Sequence, residues 1–226
     1  MHIEPGVVDG TKMAFAYATA AGAAGYTAKL AMDDLRGHNI GSFAIRSVLT
    51  AVGTFIFFEV LPHFPVGISE VHFILGTTLF LLMGAAPAAL GLALGLLVQG
   101  AFFAPTDLPM YFVNVTTLLV PLFAISALAR RIIAPGTAYV DLSYAQALKL
   151  STAFQGGVVG WVAFWAVYGQ GFGAENIQSI LAFGGAYMLV VLIEPVADLA
   201  VLAGAKALRG PKGSGLVNPR VFEAAA

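Results

Sequence analysis

Apolar residues fall in long runs almost free of charge, with polar residues clustered in short stretches between them. Runs long enough to cross a bilayer as helices cover about 13–32, 40–62, 88–104, 112–129, 148–168 and 177–207. A shorter run, about 71–84, carries no charge after His72. Pro62, Pro65 and Gly67 punctuate the chain before it, and Ala85-Ala86-Pro87 marks a tight turn after it. Counted as a span, it completes an all-α polytopic membrane bundle of about seven transmembrane helices. One domain, 1–208, is expected, followed by a tail at 209–226. Composition agrees: 59% of the 226 residues are hydrophobic and 10% charged, against about 25% charged in a soluble domain.

Lysine and arginine orient the bundle. With seven spans and the N-terminus outside, Lys29, Arg36, Arg46, Arg130, Arg131, Lys149, Lys206, Arg209, Lys212 and Arg220 share the cytoplasmic face, leaving only Lys12 opposite. Six spans would put Arg130, Arg131 and Lys149 opposite Arg36 and Arg46. The asymmetry therefore predicts seven spans, with the N-terminus outside and the C-terminus cytoplasmic. Residues 1–11 are polar and acidic, unlike a cleavable signal, so Met1 is expected as the mature terminus. A net charge of −1 gives nucleic acid no basic surface to bind. The absence of cysteine excludes disulfides, iron–sulfur clusters and thiolate metal sites.

Histidine then changes the picture. This topology places His2, His63 and His72 outside and His38 alone inside. A Met-His terminus is a chelator: the Met1 amine, the His2 amide nitrogen and the His2 imidazole close two adjacent rings on one ion. Those three nitrogens form part of a planar site suited to Ni(II), Cu(II) or low-spin Co(II), and one further imidazole completes it. Glu4, Asp9, Glu59, Glu70, Asp107 and Glu175 lie near the same face and attract cations. The plainer reading is that His2 is incidental, that Glu70 caps the start of a helix, and that Asp107 is a turn residue before Pro109.

The opening Met-His-Ile-x-x-Gly resembles the start of the cobalt/nickel substrate-binding subunits of energy-coupling-factor transporters, the CbiM/NikM family. So does an outer-loop histidine opening a span, His72, with Gly84 twelve residues on, then a small-residue helix (AALGLALGLLVQGAFF) and an Asn-containing span (NVTTLLVPLFA). The resemblance covers most of residues 1–135. It implies that the N-terminal segment 1–11 tucks into the bundle and that Met1, His2 and His72 hold Co2+ or Ni2+. The chain departs from the family around the histidine, with Ile68-Ser69-Glu70-Val71 before it and Phe73-Ile74-Leu75-Gly76 after. The groups that orient the ligands must differ accordingly, and Glu70 and His63 are candidates for that role or for an additional ligand. The resemblance also supports Asn114 as a brace for the terminus or loop.

Other polar residues within spans have candidate roles. Gln99 and Gln155 are expected in interhelical hydrogen bonds. Glu194 and Asp198, one turn apart, form a cation or proton relay, pair with Lys149 or Lys206, or contact a partner subunit. Trp161 and Trp165 are expected in an interfacial aromatic belt. Ala16, Ala20 and Ala24, like Ala18 and Gly22, are spaced for close helix approach, either inside the bundle or as the docking face for a transmembrane coupling subunit. The GPKGSG stretch at 210–215 lacks the phosphate-loop pattern and reads as a flexible tail. ATP hydrolysis would therefore belong to separate subunits. The first reading is the metal-binding subunit of an ATP-driven importer in the cell inner membrane, not an enzyme. A stand-alone cation transporter or exporter using Glu194 and Asp198, or a purely structural membrane subunit, are the alternatives.

Overall fold

The computed structural model describes residues 2–208, 217–218 and 221–222. Seven α-helices follow in order: α1 Met13–Gly37, α2 Ile40–Phe55, α3 Gly76–Met83, α4 Ala85–Phe102, α5 Tyr111–Ile132, α6 Tyr144–Gln170 and α7 Ala174–Leu208. Two short strands, β1 Phe64–Val66 and β2 Ser69–Val71, form an antiparallel hairpin before α3. α2, continued by a π-helical turn to Val60, and α4 to α7 are long and apolar enough to cross a membrane. The chain is thus a multi-pass membrane protein.

Local chemistry sets the helix ends. Asn39 caps α2 by accepting the Ser42 amide at 2.7 Å. Ser143 and Gln146 form a reciprocal capping box at the start of α6. α2 and α4 pack backbone to backbone through Gly91 and Gly95. A Cβ on Gly95 would lie 2.6 Å from the Thr54 Cβ and 2.8 Å from the Ala51 carbonyl. This is the small-xxx-small contact that membrane helices favour. Gly95→Val should lower the thermal unfolding midpoint in detergent, at a cost of about 3 kcal/mol from overpacking.

The segment between α2 and α4 is built unlike the long helices. Arg46 of α2 meets the Met83 carbonyl at the end of α3, whereas His72 lies against Phe58 near the other end of α2. Residues 72–84 therefore run alongside α2 from one end of the bundle to the other, as a span does. Only residues 76–83 of that stretch are helical, about 12 Å of rise; residues 72–75 form neither helix nor strand. Leu75 takes a left-handed φ of 50° where the helix begins. Non-helical backbone at this depth needs partners within the protein, and α7 supplies them. Glu194 accepts the Ile74 amide, and Asp198 accepts the Thr78 amide at 3.1 Å and the Thr78 hydroxyl. The lysine partners expected for these acids are elsewhere: Lys206 donates to the Leu142 carbonyl at 2.7 Å, and Lys149 is exposed.

Other expectations are also corrected. Trp165 is fully buried, and its indole N–H, like that of Trp161, donates to the Thr116 hydroxyl at 3.1 Å. Trp165 therefore belongs to the core, not to an aromatic belt. Ala16 and Ala20 are buried inside the bundle with Ala23, whereas Ala18, Gly22 and Ala24 are exposed. The face carrying Ala16 and Ala20 is thus an internal packing surface. At the end opposite the hairpin, Asp34 and buried Arg46 form an ion pair. There the Asn218 amide donates to the Leu82 carbonyl at 2.8 Å and Val221 is buried. Part of the expected tail is therefore packed against the bundle; residues 209–216, with GPKGSG, lie outside the described residues.

Candidate metal centre

Gly67 makes the hairpin possible. Its φ of +63° suits glycine, and a Cβ there would collide with the Ser179 carbonyl of α7. The N-terminal segment adds a third strand antiparallel to β2. The Glu70 amide donates to the His2 carbonyl at 2.9 Å, and the Glu4 amide donates to the Ile68 carbonyl at 3.1 Å. The Ser69 hydroxyl also donates to the His2 carbonyl, at 3.0 Å. Successive side chains of an extended strand alternate faces, so Glu70 and His72 point the same way. That way is towards His2. Glu70 is therefore a strand residue, and the helix-capping reading is incorrect.

The three side chains converge. His2 Nδ1 lies 2.9 Å and His72 Nε2 2.8 Å from the same carboxylate oxygen, Glu70 Oε2. The two imidazole rings are 4.8 Å apart and nearly perpendicular. One ligating atom from each of the three lies within 4.8 Å of the others. His63 stacks on His72 at 5.0 Å. Phe58 packs against both His2 and His72; it comes from the π-helical turn Ile56–Val60, a local distortion frequent at functional sites. Asp107 Oδ2 stands 3.6 Å from His2 Nδ1.

Burial decides the charges. It lowers the His2 pKa to about 4 and holds His72 well below the ordinary imidazole value. Burial alone would raise Glu70, but the hydrogen bonds from His2 and His72 outweigh it and keep the carboxyl below its usual range. Burial, then the neighbouring Glu70 charge, pushes Asp107 up to about 6. At neutral pH the centre is an ionised carboxylate between two neutral imidazoles. An ionised carboxylate only accepts, so His2 Nδ1 and His72 Nε2 each carry the proton they donate to it. A cation displacing those protons meets two imidazole nitrogens and a carboxylate oxygen, donors that suit divalent first-row transition metals.

The supporting residues hold the N-terminal segment in place. The Ile3 amide donates to Asn114 Oδ1 at 2.8 Å, from α5, so Asn114 braces the tucked segment. Further along, the Val7 carbonyl occupies the space that a Cβ on Gly169 of α6 would fill. The Lys12 ammonium donates to the Gly169 carbonyl. Met1, the expected amine ligand, lies outside the described residues. His38 is at the opposite end of the bundle, beside Asp34. Reading the sequence missed Phe58, Ser69 and Gly169. Strand alternation at 69–72 would have paired Glu70 with His72; nothing in the sequence marks Gly169 among the other helical glycines.

A family model described as the cobalt uptake substrate-specific transmembrane region matches residues 2–210. The fold is shared with a crystal structure described as that of a transition metal transporter, with a TM-score of 0.71 at 16% sequence identity, covering 92% of this chain and 94% of that one. A crystal structure of a truncated transition metal transporter gives a TM-score of 0.62 at 14% identity, covering 92% and 97%. No curated protein matches the chain by sequence.

Proposed function

This chain belongs to the CbiM cobalt-uptake transmembrane family, and on that premise we propose that it is the substrate-binding membrane subunit of an ATP-driven energy-coupling-factor importer for Co2+ or Ni2+. The observation that carries the site is the convergence of His2 Nδ1 and His72 Nε2 on one carboxylate oxygen. The Met1 amine, the His2 amide nitrogen and imidazole, and the His72 imidazole hold the ion, and Glu70 orients both imidazoles until the ion displaces it. His63 and Asn114 support the ligands without binding the ion. The site opens to the outside of the cell inner membrane, and the basic end of the bundle faces the cytoplasm. A transmembrane coupling subunit and separate ATP-binding subunits drive release inward. Withdrawal of the N-terminal strand removes most of the ligands in one motion.

Equilibrium dialysis of the purified chain in detergent tests this reading. About one equivalent of Co2+ or Ni2+ should bind per chain, as a single chelate site requires. Binding that survives His2→Ala undiminished would rule the site out.

A further inference from the structure

The mechanism above makes no use of the buried carboxylates of α7. Glu194 is fully buried and Asp198 nearly so, and among the described residues neither has a basic partner within 4 Å. Carboxylates at this depth are costly, so their partners indicate their use. Glu194 accepts the Ile74 amide on one oxygen and the Gln155 side-chain N–H on the other. The Tyr187 hydroxyl donates to Gln155 Oε1 at 2.6 Å, fixing the glutamine from α7. The partners of Glu194 are therefore the backbone at Ile74 and Leu75, just after His72, and the glutamine that locks the carboxylate.

That backbone needs holding. Residues 73–75 lie between β2 and α3, outside either element, and Leu75, which accepts the Leu79 amide, is left-handed, a conformation costly for a branched side chain. Below it, Asp198 binds the first turn of α3 through Thr78.

We propose that Glu194 is a positioning residue for the metal centre: it clamps the non-helical backbone at Ile74 and so fixes where the His72 imidazole sits. The proposal rests on the metal-centre reading only for its effect on affinity; the clamp itself is read from the fold. Glu194 touches no ion. It acts through His72, and binding energy gained at the outer site is realised only while α7 grips the crossing segment.

Two measurements on the full chain in detergent test it. The first exploits the absence of native cysteine. Phe73→Cys supplies a single thiol on the crossing segment, and its maleimide labelling rate without metal reports how firmly that segment is held. Adding Glu194→Leu should speed labelling about tenfold, because local opening no longer breaks the clamp. The second is a double-mutant cycle on Co2+ affinity. Glu194→Leu should weaken binding at least about tenfold in the native background, the usual effect of losing a group that orients a ligand. In a His72→Ala background it should change nothing further. Equal losses in both backgrounds, or unchanged labelling, would overturn the proposal, since a general packing defect acts whether or not His72 is present. If Glu194→Leu does not fold, Gln155→Leu releases the carboxylate's other partner and is read by the same two criteria. If His72→Ala binds Co2+ as the native chain does, the metal-centre reading fails, and the labelling rate alone decides the clamp.

Discussion

Gly169→Ala should nearly abolish metal binding while leaving the bundle folded. Alanine is the better helix former by about 1 kcal/mol, so α6 itself should gain stability. The methyl group, however, would occupy the position of the Val7 carbonyl. Backbone cannot yield there as the end of a flexible side chain would, because Ile3, Val7 and Val8 are all buried and fixed. The segment bearing His2 must lift away, breaking its pairing with β2 and its bond to Asn114. Isothermal titration with Co2+ should show affinity at least about 100-fold weaker, beyond the loss from one orienting group. Thermal unfolding of the metal-free protein should come earlier but stay cooperative, because lifting the segment exposes Ile3, Val7 and Val8, about 1.5–3 kcal/mol each. Native affinity in this variant would mean that the docked N-terminal strand is not part of the site.

One residue added before Met1 should have an effect as large, for a different reason. The extension leaves every described side chain in place, including His2, Glu70 and His72. It converts the primary amine into an amide, which can bind only by giving up a further proton, and moves the charged terminus one residue away. The proposed site loses its amine donor at the Met1 position, and Co2+ affinity should fall at least about 100-fold at neutral pH, as expected when a chelate loses its anchoring donor. Right-side-out vesicles carrying the complete transporter should lose uptake in parallel. If the extended chain binds as tightly as the native one, the ion sits on side chains alone, with His2, Glu70 and His72 as its ligands.

Five of the seven expected spans were legible because charge-free apolar runs admit few other structures; 13–32 and 71–84 are not among the helices long and apolar enough to cross. The broken segment between α2 and α4 was not legible. The run 71–84 is as apolar as a helix, and what keeps its first part non-helical lies 120 residues away on α7. For the same reason Glu194 and Asp198 were paired in prospect with lysines. The plainer helix-cap alternative for Glu70 stays open in the sequence because a strand of three residues leaves little periodicity to detect. Trp165 looked interfacial until Thr116, on a neighbouring helix, proved to be its partner.

Among the described residues, the strand carrying His2 pairs along one edge only, with β2. An edge strand can peel from its end without disturbing the rest of a sheet, and here the rest is a single short hairpin. Strand docking and chelation therefore both enter the affinity but act at different steps. The chelating nitrogens fix how tightly the ion is held once seated. The few backbone bonds between residues 2–4 and 68–70 fix how often the seat departs with it. Substitutions along that seam should change the rate at which cargo is given up far more than the amount bound at saturation.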